Sequence, residues 1–175
     1  PADHLIVKEQ RFTEIVATAI KRANEEERLV TLGIQPTRPD TGYGYIEFDN
    51  SAAVQAGEVT EVKQFREKPD LATAEAFLKS GNFYWNSGIF VWKTSSILNS
   101  LESYQPALHE LFAGDLSHYN TLTEQEKVNY CFETCEDISI DFAVMEHANN
   151  VDVVLADFDW SDLGTWGSLN THLKK

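Results

Sequence analysis

The chain has 175 residues, 42% of them hydrophobic, and 14 Lys and Arg against 28 Asp and Glu give a formal net charge of −14. That length and apolar content fit one domain with a true core, burying roughly 70% of the unfolded surface, and argue against disorder. With no Lys/Arg run to track a phosphate backbone and no apolar stretch near the ~20 residues that span a bilayer, neither nucleic acid nor a membrane is an expected partner.

The chain opens P-A-D-H-L-I without an initiator Met, which reads as the end of a strand begun earlier. Residues 9–26 carry Phe12, Ile15, Val16, Ala19, Ile20 and Ala23 at helical spacing and predict an amphipathic helix. Residues 28–34 predict a buried strand stopped at Pro36, followed by a loop over 37–42 punctuated by Pro39 and Gly42. Strands are predicted over 44–49 and 59–66, then a short helix ending near Gly81 and a long strand over 83–92. Residues 95–130 read as helices, the last opened by Thr123 and Glu126 as a capping box. Ser139 is placed to cap a helix over 140–148. Val151 to Asp157 predicts another strand, and Trp166, read as a core aromatic, opens a terminal helix reaching Leu173. Strands separated by helices predict an α/β fold with a mostly parallel sheet, plus antiparallel pairing at 44–66. No repeat or linker divides the chain. Cys131 and Cys135 in C-F-E-T-C lack a His cluster and make a poor zinc site, so they read as reduced thiols in a cytoplasmic protein.

Five segments break the core pattern, and in such sheets the loops at strand ends carry the sites. In Pro1-Ala2-Asp3-His4, the carboxylate can cap a helix or ligate a metal. In Thr41-Gly42-Tyr43-Gly44-Tyr45, the glycines can make a turn or admit a ligand close to the backbone. In Phe65-Arg66-Glu67-Lys68-Pro69, Glu67 can accept from sugar hydroxyls and Lys68 can donate to a phosphate, or the two form a solvated ion pair. Proline should hold Lys68 extended, and joint contact by both residues then needs a bend. Asn86-Ser87-Gly88 inside an apolar run marks a bulge, or Asn86 offers its amide to a ligand hydroxyl. In Asp157–Trp166, Asp162 can cap the following helix or serve as a second metal carboxylate.

P-A-D-H, T-G-Y-G-Y-I, F-R-E-K-P, N-S-G-I-F, S-I-D-F-A-V-M-E and W-S-D-L-G-T-W occur here in one order. Together they resemble the bacterial mannose-1-phosphate guanylyltransferases, sugar-phosphate nucleotidyltransferases that make GDP-mannose. The resemblance implies the nucleotide-diphospho-sugar transferase fold, a Rossmann-like mixed sheet flanked by helices. It implies Mg2+ held by Asp3 and Asp162, a sugar phosphate met by Glu67, Lys68, Asn86 and the Gly42 backbone, and catalytic roles for Asp3, Asp162 and Lys68. Arg38, Tyr43 and Trp160 are weaker candidates. The implied partners are GTP and mannose 1-phosphate, whose phosphate attacks the α-phosphorus of GTP in line as pyrophosphate leaves.

The family's G-G-x-G-x-R-x-x-P nucleotide loop is absent from these residues. The expectation is therefore the later, sugar-binding portion of one catalytic domain, incomplete at its N-terminus, inactive alone and weak toward GTP. An uncovered sheet edge would imply self-association, as a homodimer, or a preceding segment. The alternatives are a glucose-1-phosphate uridylyl- or thymidylyltransferase, a non-catalytic regulatory paralogue, or a plain sugar-binding module.

Overall fold

The computed structural model describes residues 3–49, 54–164, 166 and 169. Two compact units are distinguished, one formed by Pro1–Lys93 with Asn149–Lys175 and the other by Thr94–Ala148. The first contains β1 (Leu5–Ile6), α1 (Glu9–Glu25), β2 (Leu29–Ile34), β3 (Tyr45–Phe48), β4 (Val59–Arg66), α2 (Leu71–Ser80) and β5 (Phe83–Val91). It is completed by β6 (Val151–Ala156) and β7 (Trp160–Ser161).

The two most continuously apolar strands pair with each other. β2 and β6 run parallel, from Leu29 opposite Val151 to Ile34 opposite Ala156. Strands covered on both faces are buried at nearly every position and so are mostly apolar, which is why neither alternates. α1 covers them with the stripe its spacing predicts: Ile15, Ala19 and Ala23 pack with Val30, Leu32, Val154 and Phe158. On the other side, α2 sets Ala74 and Phe77 against Tyr45, Phe83 and Trp85. The Asp70 side chain caps α2 by accepting from the Thr73 N–H at 2.8 Å, and Gly81 closes it at φ 74°.

Hydrogen bonding closes five strands on themselves in the order β2-β5-β3-β4-β6, while β1 and β7 form a separate two-stranded ribbon. The α/β class holds, but the parallel content is lower than expected. Among the described residues only β2 and β6 pair in parallel; β2–β5, β5–β3, β3–β4 and β4–β6 are antiparallel. The connection through α2 does return the chain so that β5 points the same way as β4. β3 occupies the place between them and runs against both.

The second unit contains α3 (Thr94–Tyr104), α4 (Pro106–Ala113), α5 (Glu124–Thr134) and a π-helical turn over Asp141–Met145. Thr123 stands at the start of α5 but makes no capping hydrogen bond, because its hydroxyl is engaged by Thr121 at 3.0 Å and His118 at 2.9 Å. The helix expected over 140–148 is only the π-helical turn, with the Ser139 hydroxyl 3.4 Å from the Phe142 N–H. Cys131 is buried, and both cysteines are free. Most of the expected terminal helix lies outside the described residues. Trp166 is 87% exposed, so it is not a core aromatic. No helix among the described residues is long and apolar enough to cross a membrane.

One charge is locked inside the first unit. Asp152, at the second position of β6, is 1% exposed and accepts from Arg22 Nε at 2.6 Å and Arg28 Nε at 2.9 Å. Removing one partner of such a cluster leaves buried charge uncompensated. Asp152→Ala is expected to lower the urea unfolding free energy by about 3–5 kcal/mol. Lys21→Ala, which removes only an exposed pair with Glu25, should stay within about 1 kcal/mol of the native chain.

Candidate active site

β2 and β6 leave the sheet at the same end, and the segments after them build the candidate site. After β2 come Arg38, Asp40, Gly42, Tyr43 and Gly44; after β6 come Asp157 to Gly164. A cleft of ≈ 410 Å³ lies between them, lined by Arg38, Tyr43, Trp85, Asp159 and Trp160 among others.

The β1–β7 ribbon places Leu5 opposite Ser161 and Ile6 opposite Trp160. The antiparallel register carries Asp3 and His4, just before Leu5, to the end where Asp162 follows Ser161. Trp160 Nε1 donates to His4 Nδ1 at 3.0 Å. Burial lowers the His4 pKa, while the nearby carboxylates of Asp3 and Asp162 pull it the other way. Asp3 therefore precedes a strand, and Asp162 follows the two-residue β7 and not β6 itself.

Asp162 is held by two donors on one oxygen. Its Oδ1 accepts the Tyr43 hydroxyl at 2.7 Å and the Gly164 N–H at 3.1 Å. The next residue, Leu163, has φ 53°, and Asp159 has φ 58°. Left-handed backbone at residues with side chains is costly and gathers at functional sites. Burial and then the Asp162 hydrogen bond push the Tyr43 pKa far up, so the phenol stays protonated as the donor.

Glu67 and Lys68 follow β4. Lys68 has φ 44°, which is left-handed and not the extended conformation that Pro69 suggests. This is the bend that joint contact requires, and it leaves Lys68 Nζ 3.4 Å from Glu67 Oε1. The Lys68 side chain is 64% exposed and that of Glu67 only 11%. The Glu67 carboxylate lies directly against Gly44, where a Cβ would overlap Oε2 and also touch Asn86.

For Asn86, both readings of the sequence meet. The β2–β5 register shifts between Thr31 and Gly33, and Gly88 takes φ 69°, so a bulge is present. Asn86 organises it: Oδ1 accepts from the Thr31 hydroxyl at 2.9 Å and the Gly88 N–H at 3.2 Å, and its backbone N–H donates to Gly44 O at 2.8 Å. The Gly42 N–H is engaged as well, donating to Asp40 Oδ1 at 2.9 Å. Asp40 also binds Arg38, whose guanidinium lies 5.1 Å from the Trp85 ring centroid and 5.8 Å from that of Tyr43.

Three residues of the site escape a reading by motif. Gly44 is needed for close approach, a role that its place in T-G-Y-G-Y admits but does not single out. Asp40 orders the loop from within an ordinary turn sequence. Trp85 is 4% exposed and lines the cleft, yet its Nε1 has no hydrogen-bond partner among the described residues. Its one signal in the sequence is a large aromatic in a strand.

Helices cover a mixed sheet here, with Asp162 and the Glu67–Lys68 pair standing just beyond strand ends. The family model described as nucleotidyl transferase matches residues 1–175, and the chain belongs to that family. It is 40% identical over 170 residues to the mannose-1-phosphate guanylyltransferase of Escherichia coli K12, covering 96% of this chain and 35% of that protein. It is 41% identical over 174 residues to the xanthan biosynthesis protein XanB of Xanthomonas campestris pv. campestris, covering 97% of this chain and 35% of the relative. The chain thus spans about a third of the length of these curated relatives. A crystal structure described as mannose-1-phosphate geranyltransferase from Thermus thermophilus matches with a TM-score of 0.82 at 31% identity, covering all of this chain and 48% of that one.

Gly44→Ala should force the Glu67 carboxylate aside. The expected outcome is a loss of about 1–3 kcal/mol in urea unfolding, as for other overpacked sites. Gly81→Ala has open space but a left-handed φ and serves as a control, with strain and no displaced carboxylate.

Proposed function

We propose that this chain is the sugar-phosphate portion of a mannose-1-phosphate guanylyltransferase. The whole enzyme transfers GMP from GTP to α-D-mannose 1-phosphate and releases pyrophosphate. The observation that carries the reading is the Glu67–Lys68 turn folded against Gly44, which is bonded in turn to Asn86, in the same unit as Asp3 and Asp162. It is supported by the 40% identity to a named guanylyltransferase.

Lys68, with its exposed ammonium, is placed to bind the sugar phosphate. Glu67, recessed beside it, accepts from ring hydroxyls, and Gly44 keeps backbone close enough for both. Asn86 and Gly42 contribute through the loops that they order. The polar groups needed against a hydroxyl-rich ligand are therefore preorganised before binding. The guanine and triphosphate contacts are not assigned to these residues. Free thiols at Cys131 and Cys135 fit a reducing cytoplasm.

Mg2+ is the proposed cofactor. Among the described residues, no group of three His, Cys, Asp or Glu is arranged to hold a metal. A pair of carboxylates with substrate phosphates suits Mg2+, which rarely uses an all-protein cage, and does not suit a structural zinc. Asp3 and Asp162 would hold the ion, which when bound neutralises charge on the phosphate oxygens. Tyr43 and Gly164 orient the Asp162 carboxylate.

Lys68→Ala in the full-length protein should lower kcat/KM for mannose 1-phosphate about 10- to 100-fold, the cost of one charge-assisted hydrogen bond. Steady-state kinetics should show KM for GTP little changed, and circular dichroism an unchanged Tm. Native kcat/KM together with a lower Tm would mean that Lys68 is only structural. A panel of sugar 1-phosphates and nucleoside triphosphates on the same protein tests the choice of sugar and base.

A further inference from the structure

Tyr43 stands between the two glycines of the sugar-side segment and reaches a carboxylate 119 residues away, donating its hydroxyl to Asp162 Oδ1 at 2.7 Å. The Gly164 N–H donates to the same oxygen. The other oxygen, Oδ2, lies against Gly164, where a Cβ would come within 2.7 Å of it. Two donors on one oxygen fix the rotation of the carboxylate, and the bare Gly164 leaves Oδ2 the room that a Cβ would take.

The ring that carries the hydroxyl is itself held. It packs edge-on against Trp85 at 5.0 Å and Trp160 at 5.5 Å between centroids. Trp85 belongs to β5, one residue before Asn86, and Trp160 belongs to the ribbon that brings His4 to the site. One tyrosine thus touches the strand of the sugar-side amide, the strand of the carboxylate and the carboxylate itself. Packing alone would need only the ring, so the hydroxyl is the part with a further consequence.

We infer that Tyr43 is a positioning residue whose hydroxyl sets which oxygen Asp162 presents to a divalent cation, and so couples cation binding to occupancy of the sugar-phosphate site. The inference rests on the proposed reading of Asp162 as a metal carboxylate. Among the described residues only Oδ1 of Asp162 accepts a hydrogen bond, so Oδ2 is the oxygen offered to the ion, and hydrogen bonds that orient a metal's ligands commonly govern its affinity by about 10- to 100-fold. Tyr43 lies in the same segment as Gly42 and Gly44, so a ligand bound against that segment and an ion on Asp162 act on one side chain, and whatever effect one has on the other is reciprocal.

The test is Mn2+ titration of the full-length protein followed by electron paramagnetic resonance, with and without mannose 1-phosphate. In the native protein, mannose 1-phosphate should tighten Mn2+ binding. Tyr43→Phe keeps the ring and should weaken Mn2+ binding about tenfold, with most of the tightening lost. Native affinity and native tightening in Tyr43→Phe would overturn the inference while leaving the metal reading intact, provided Asp162→Asn loses Mn2+. Native affinity in Asp162→Asn would overturn both. Gly164→Ala crowds Oδ2 without touching Tyr43 and should also weaken Mn2+ several-fold. Should Tyr43→Phe fail to fold, native affinity in Gly164→Ala overturns the inference.

Discussion

The parallel register between β2 and β6 holds the first unit in place. Leu29–Ile34 and Val151–Ala156 are separated in sequence by the whole second unit, yet they pair at six consecutive positions. Because they run in the same direction, their C-terminal loops emerge at one end of the sheet. Together with the β1–β7 ribbon, that brings Tyr43 within reach of Asp162. Arg22 and Arg28 hold Asp152 on one of these strands, and α1 covers both, so the register cannot slip without baring charge and apolar surface together.

The site is built where this frame permits departures from regular geometry. Of the four described residues other than glycine with positive φ, Lys68, Asp159 and Leu163 lie beside candidate functional groups. Each turn re-aims a side chain that a continuing strand would send elsewhere. At Lys68 the turn places ammonium and carboxylate on one side; at Leu163 it follows the carboxylate that Tyr43 and Gly164 hold. Conformational cost of this kind persists only when the surrounding structure over-determines it. Here the aromatic packing of Tyr43, Trp85 and Trp160 supplies that support.

Charge follows the same logic. A chain with a formal net charge of −14 is an unpromising host for polyanions. The answer proposed is local: Lys68 stands exposed at a strand end beside the recessed Glu67, while Arg22 and Arg28 are committed to Asp152 and Arg38 to Asp40.

Periodicity and turn chemistry suffice to read α1, β2, β4, α2, β5 and β6 nearly to the residue, because each has a covered face and a Gly, Pro or polar stop. The order of P-A-D-H, T-G-Y-G-Y-I, F-R-E-K-P, N-S-G-I-F and W-S-D-L-G-T-W likewise points to the family and to Asp3, Glu67, Lys68, Asn86 and Asp162 as candidates. Local pattern does not record which strand lies beside which, so the antiparallel share of the sheet is not legible in it: β3 enters between β4 and β5 through contacts distant in sequence. The Thr123 box is complete by spacing, yet a neighbouring His and Thr take the hydroxyl. Residue order alone fixes which segments form helices and strands and which chemical groups stand at their ends, since both are matters of local period and punctuation. It leaves open that Gly44 must be bare for Glu67, that Lys68 turns left-handed before Pro69, and that Tyr43 holds Asp162. Those are settled by the folded chain, because each depends on packing between segments that lie far apart along it.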